Sequence, residues 1–269
     1  MTITTVAPPE PAREAGRRSR WRWAAHLALL SLLPAWVVFT AVGRGATSGP
    51  SLPTTVPGLL LSAGENLLIF GALFGMACLC SRPRREELLL AWRGGLRPVG
   101  LGFLWSLALR VVLACLALGA VLVAEVLGGR GSASALRPDV GSIVDWRALR
   151  DPVYFALALT LVSFVLAALR EELWRAGMIA GVRALLPERF RGVRADALAV
   201  VGSAFLFGIG HLSQGWMGVA ATATIGLALG ALMVARRSIW EAVLAHGFFD
   251  AASLVLLRLV GPLLERSAG

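Results

Sequence analysis

The chain has 269 residues, of which 57% are apolar and 16% charged, with a mean hydropathy of +0.73. A water-soluble domain averages roughly 45–50% apolar and about 25% charged residues, so an ordinary soluble fold is excluded. The net charge is +10, carried by 26 basic residues that are all arginine. They are segregated by loop rather than gathered on one face, which fits the positive-inside rule of membrane proteins and argues against a nucleic-acid partner.

Apolar blocks long enough to cross a bilayer, about 20 residues each, run through almost the whole chain. They predict an all-α, polytopic transmembrane bundle of about seven or eight spans. Residues 1–22, rich in Pro, Ala and Arg, read as a disordered cytoplasmic tail. The apolar stretch from Trp23 to Val42 exceeds the 7–15 residues or so of a cleaved signal and reads as a retained first span. The predicted spans are 23–43, 57–80, 98–127, 152–170, 196–214, 217–235 and 239–260. The third carries Arg110 and is long for one simple crossing, so it tilts, bends or extends beyond the bilayer. Residues 176–188 are apolar but short; they continue the fourth helix, lie in the interface or form part of an eighth crossing. Three units follow: the tail, N-terminal transmembrane helices over 23–150, and a core over 151–262.

Arginines cluster at 13–22 (five), at Arg82, Arg84, Arg85, Arg93 and Arg97, and at Arg183, Arg189, Arg191 and Arg194. The Gly-, Ser- and Pro-rich connections 45–57 and 128–151 carry fewer. Alternation places the N-terminus and the arginine-rich loops in the cytoplasm and these two connections outside. Cys78, Cys80 and Cys115 all sit in apolar segments; their odd number gives neither a disulfide framework nor a zinc pattern, and they read as small core residues.

Ionisable side chains are costly in a span, about 3 kcal/mol each at its centre on insertion scales, and four places carry them. Glu171 and Glu172 adjoin near the end of the fourth span, with Arg175 four and three residues on; either spacing permits an ion pair on a helix. His211 follows Phe207 by four residues in an apolar block where Gly208 and Gly210 permit close helix approach or access of a substrate backbone. His246 and Asp250, at i and i+4, share one face of the last span about 6 Å apart along its axis; lipid exposure of either is implausible, so both face inward. Glu65 and Asn66 in the second span read as structural polar residues, with Arg110 as a buried partner. A glutamate and a histidine can activate a water against a peptide carbonyl. A second histidine beside a carboxylate can stabilise the oxyanion or help to bind a metal. The remaining histidine, His26, lies far from these residues in the sequence.

Three motifs in this order resemble the CAAX protease and bacteriocin-processing (CPBP) family, relatives of the CAAX prenyl endopeptidase, over roughly the last 120 residues. The family pattern is Glu-Glu-x-x-x-Arg, then Phe-x-x-x-His, then His-x-x-x-Asn or His-x-x-x-Asp. Phe207 to His211 matches the second and His246 to Asp250 the third. Glu171 to Arg175 gives the first, one residue shorter between the acidic pair and the arginine. The resemblance implies an intramembrane endopeptidase acting on a membrane-associated protein or peptide, prenylated or a leader, in the lipid bilayer of a bacterial inner membrane. It implies Glu171 as general base, with Glu172 beside it and His211 positioning or activating the water. His246 and Asp250 line the oxyanion site or contribute to a metal site, and Arg175 and Phe207 support the others. A divalent metal, zinc, held by Glu171, His211 and His246 stays open beside a metal-free mechanism, since the chain has no His-Glu-x-x-His motif. Two other readings use the same residues: a non-catalytic scaffold or immunity protein with this fold, and a proton-coupled transporter with Glu171, Glu172 and Asp250 as its relay.

Overall fold

Caps and breakers mark the helix ends where the sequence suggests them. The computed structural model of the chain describes residues 10–44, 52–129, 131, 132 and 143–268. Helix α1 runs Glu10–Arg44 and α2 Val56–Ser81. Thr55 caps α2 by accepting from the Gly58 N–H at 3.3 Å, with Pro57 in the first turn, and Arg82 closes it in a left-handed conformation. These are the devices expected of a helix start and stop. The long third block is one helix, α3, Arg97–Gly128.

Asp151 starts the next helix by accepting from the N–H groups of Val153 and Tyr154, both at 2.8 Å. That helix runs unbroken from Pro152 to Leu185. It comprises α4 (Pro152–Leu157), a π-helical stretch Ala158–Leu169 and α5 (Arg170–Leu185). Residues 176–185 thus extend the fourth helix and add no eighth crossing. Then come α6 (Val193–Ile209), α7 (Gly215–Arg236) and α8 (Trp240–Ala268). No strand occurs among the described residues.

Among the described residues six helical runs are long and apolar enough to cross a membrane, one fewer than the lower number expected. The block expected at 196–214 is the shortfall: α6 has 17 residues and gives way to a 3₁₀ turn at Leu212–Gln214. At 1.5 Å per residue α6 covers about 26 Å, less than a hydrocarbon core of about 30 Å. The first helix begins at Glu10, so of the tail expected at 1–22 only residues 1–9 lie outside the described residues. The outer surface is apolar, with Leu127 83% and Leu79 77% exposed. In water such a surface would drive aggregation, and in lipid it is solvated. The chain is therefore an integral membrane protein.

Backbone and side-chain bonds fix which connections share an end of the bundle. Arg20 Nη2 donates to Leu185 O at 3.2 Å, the Ile239 N–H to Leu89 O at 2.9 Å, and Ser238 Oγ to Ala91 O at 2.8 Å. Trp23, Leu88, Ala180 and Leu185 pack together there. At the opposite end the Leu52 N–H donates to Ile143 O at 3.1 Å, and Tyr154 Oη to Pro53 O at 2.8 Å. The arginine-rich connections therefore gather at one end, as their alternation along the sequence requires.

Candidate active site

The three motifs occupy the start of α5, the end of α6 and the first half of α8. The long π stretch immediately precedes Arg170; π geometry is rare and recurs at functional sites. Its Ser163 Oγ donates to Ala158 O five residues back at 3.0 Å.

Glu172 is completely buried and holds two partners. Arg175 donates to its Oε2, and His246 Nδ1 donates to its Oε1 at 2.9 Å. The shortened first motif thus keeps its ion pair, because i+3 lies on the same helix face as i+4. Arg175 is equally buried, and its guanidinium lies 4.4 Å over the ring of Phe207. Its Nε and Nη2 have no hydrogen-bond partner among the described residues, so the ring face supplies the contact to that side of the cation.

Phe207 links all three motifs. Beyond Arg175, its ring meets His211 edge-on at 4.6 Å and His246 at 6.4 Å between centroids. His211 Nδ1 donates to Phe207 O at 2.8 Å. A carbonyl only accepts, so Nδ1 carries the proton and Nε2 of the neutral ring is left with its lone pair. Glu172 likewise holds a proton on Nδ1 of His246, whose Nε2 lies 3.5 Å from Asp250 Oδ2 and 3.8 Å from Glu171 Oε2.

Glu171, unlike Glu172, faces a cavity. This space of about 410 Å³ lies between α1, α2, the start of α5 and the end of α6. Glu171 and His211 are on its wall, among Trp36, Phe70, Trp174 and Phe207. Arg170 Nη2 donates to Glu171 Oε1 at 3.0 Å, and Arg170 Nη1 donates to Asn66 Oδ1 at 3.1 Å. A chain of bonds therefore runs from α2 to the cavity carboxylate. Trp174 is held by its Nε1 donating to Leu30 O at 3.0 Å.

The structure thus brings Glu171, Glu172, Arg175, Phe207, His211, His246 and Asp250 together. Glu171 and His211 are at the cavity; Glu172 and Arg175 are behind it; His246 with Asp250 bridges the two groups. Arg110 is not the partner of Glu65 and Asn66: its guanidinium donates to Phe249 O and, at 3.2 Å, to Ser253 Oγ of α8, lying 4.5 Å over the Phe249 ring. Asn66 instead meets Arg170, which the motif reading left without a role. The only sequence signal for this was an amide inside an apolar span. His26 is buried away from the site, its Nδ1 near Ala77 O and Ser81 Oγ and its Nε2 near Gly177 O.

As ligands for a metal, Glu171, His211 and His246 offer suitable oxygen and nitrogen donors. Among the described residues, however, no three histidine, cysteine, aspartate or glutamate side chains are gathered to hold an ion.

A family model, type II CAAX prenyl endopeptidase Rce1-like, matches residues 153–252, a segment that contains all three motifs. No curated protein and no solved structure matches the chain.

Proposed function

We propose, from the match of residues 153–252 to the type II CAAX prenyl endopeptidase Rce1-like family, that the chain hydrolyses a peptide bond of a membrane-associated substrate by a glutamate-activated water. The likeness to a protease family supports the reaction class. The observation that supports the particular mechanism is that Glu171 and His211, 40 positions apart in the sequence, lie on the wall of one cavity.

A water held between the Glu171 carboxylate and His211 Nε2 loses a proton to Glu171 as its oxygen attacks the scissile carbonyl carbon. The carbonyl oxygen becomes an oxyanion. A doubly protonated His246 keeps Nδ1–H on Glu172 and donates Nε2–H to that oxyanion, with Asp250 balancing the imidazolium. Collapse of the tetrahedral intermediate breaks the C–N bond, and Glu171 returns its proton to the leaving amine. Glu172 and Arg175 act as positioning residues, since they touch His246 and Phe207 and not the cavity.

The substrate is a protein or peptide in the bilayer, prenylated or a leader. The core over 151–262 carries the chemistry, and the N-terminal helices α1 and α2 complete the cavity. The arginine-rich end faces the cytoplasm of a bacterial inner membrane, with α6 as a short seventh crossing. The test is cleavage of membrane-anchored fluorogenic peptides by the full chain in proteoliposomes. Glu171→Ala and His211→Ala abolish cleavage while the thermal unfolding midpoint holds; full activity in either variant overturns the reading.

A further inference from the structure

The cavity wall carries a carboxylate that the hydrolytic mechanism does not use. Glu65 is the tenth residue of α2, about 14 Å along a helix of about 39 Å. It therefore sits at hydrocarbon depth rather than at the interface. It lines the cavity beside Asn66 and takes part in no hydrogen bond or ion pair among the described residues. The arginine among the described residues of the same wall, Arg170, is already bonded to Asn66 and Glu171. An ionised group at this depth is retained when something polar meets it.

The rest of the wall is aromatic and aliphatic, with Trp36 on α1 64% exposed. An unpartnered carboxylate among aromatic faces suits a cation on an apolar stem: the charge pairs with the acid, the guanidinium or ammonium stacks on indole, and the methylenes pack against the walls. Resting on the endopeptidase reading, we infer that Glu65 is a specificity-determining residue that selects peptide substrates carrying an arginine or lysine side chain near the scissile bond. Glu65 and Glu171 line the same cavity, so a peptide seated there with its scissile bond at Glu171 offers its neighbouring side chains to Glu65.

The experiment uses the full chain in phosphatidylglycerol nanodiscs and three dye-labelled, end-capped apolar peptides that differ only in one central Arg, Gln or Glu. Binding is read by anisotropy after subtraction of binding to empty discs, and cleavage by mass spectrometry. The expected result is binding of the Arg peptide about tenfold tighter than the Gln peptide, the size of one charge-assisted hydrogen bond, with the Glu peptide weakest. Glu65→Gln removes the difference between Arg and Gln, and Glu65→Arg reverses the order towards the Glu peptide. Because Glu65 has no hydrogen-bond or ion-pair partner among the described residues, these variants keep the wild-type unfolding midpoint. Equal binding of the three peptides, or a preference that survives Glu65→Gln, overturns the inference. A preference lost when phosphatidylethanolamine replaces phosphatidylglycerol also overturns it, by assigning the site to a lipid amine. Cleavage without charge preference sinks this inference and leaves hydrolysis standing. Charge-selective, Glu65-dependent binding without cleavage does the reverse.

Discussion

Glu172 of α5 and His246 of α8 stand 74 positions apart and are joined by one hydrogen bond of 2.9 Å, from the imidazole Nδ1 to the carboxylate Oε1. The same carboxylate takes Arg175 on its other oxygen. One buried acid therefore fixes the Nδ1–H and the ring orientation of a histidine on another helix and neutralises an arginine on its own. Glu171 beside it faces the cavity instead. In the proposed mechanism the adjacent acidic pair divides into a supporting member and a reacting one, along the line that burial draws.

Glu172→Ala leaves the Arg175 cation buried without its anion. Removing one partner of a buried pair costs about 3–5 kcal/mol. The expected outcome is a large fall in the thermal unfolding midpoint in detergent, with loss of activity alongside. Glu171→Gln, at the cavity, lowers activity by about 10²–10⁴ with the midpoint unchanged. Equal midpoints for the two variants would count against the division of roles.

Arg170→Gln removes the guanidinium that holds Glu171 Oε1, and Asn66→Ala removes the far end of the same chain. A charge-assisted hydrogen bond contributes about 1.5–3 kcal/mol, so kcat falls about tenfold or more in Arg170→Gln and less in Asn66→Ala. KM changes little in either, because the chain positions a reacting group and does not grip the substrate. Steady-state kinetics in proteoliposomes decide this; a rise in KM at constant kcat would make Arg170 a binding residue instead.

The motifs were legible because their logic is local. Residues at i+3 and i+4 share a helix face whatever the tertiary fold, so Glu172 with Arg175, Phe207 with His211 and His246 with Asp250 were each readable as pairs. What joins the pairs was not readable: Phe207 lies against Arg175 and His246 only because α5, α6 and α8 converge. The partner of Arg110 is on α8, more than a hundred positions away, and no spacing rule reaches it. The π stretch before Arg170 leaves no trace in hydropathy, since Ala158 to Leu169 is apolar in any helical register. α6 ends at Ile209, short of the apolar block at 196–214, because that block includes a turn that hydropathy does not register.

Gly208 and Gly210 separate the two uses of small residues that their spacing suggested. A Cβ on Gly208 would stand 2.9 Å from Val219 O and 2.8 Å from Ala223 Cβ of α7, a backbone contact that cannot swing away. A Cβ on Gly210, which lines the cavity, would come no nearer than 3.3 Å to Phe207 O. Gly208→Ala is expected to destabilise by about 1–3 kcal/mol through overpacking. Gly210→Ala keeps most of the stability and raises KM by narrowing the cavity. Unfolding midpoints and KM measured on both variants check the pair; a stable Gly208→Ala protein would mean that α6 and α7 can part at no cost.

Phe207 makes the sharpest prediction, because its ring is asked to serve three neighbours at once. It covers the Arg175 guanidinium at 4.4 Å where Nε and Nη2 have no hydrogen-bond partner among the described residues, and it meets both histidines edge-on. A desolvated cation–π contact contributes about 2 kcal/mol, and aromatic contacts add roughly 0.5–1.5 kcal/mol each. Phe207→Leu keeps an apolar side chain of similar bulk and loses all of these, so stability falls and the two imidazoles lose their common wall. Phe207→Tyr keeps the ring face. The expected order of both activity and unfolding midpoint is wild type, then Tyr, then Leu, with the Leu variant losing proportionately more activity than stability. Wild-type behaviour of Phe207→Leu in both assays would reduce the ring to a space filler and leave Arg175 stabilised by Glu172 alone.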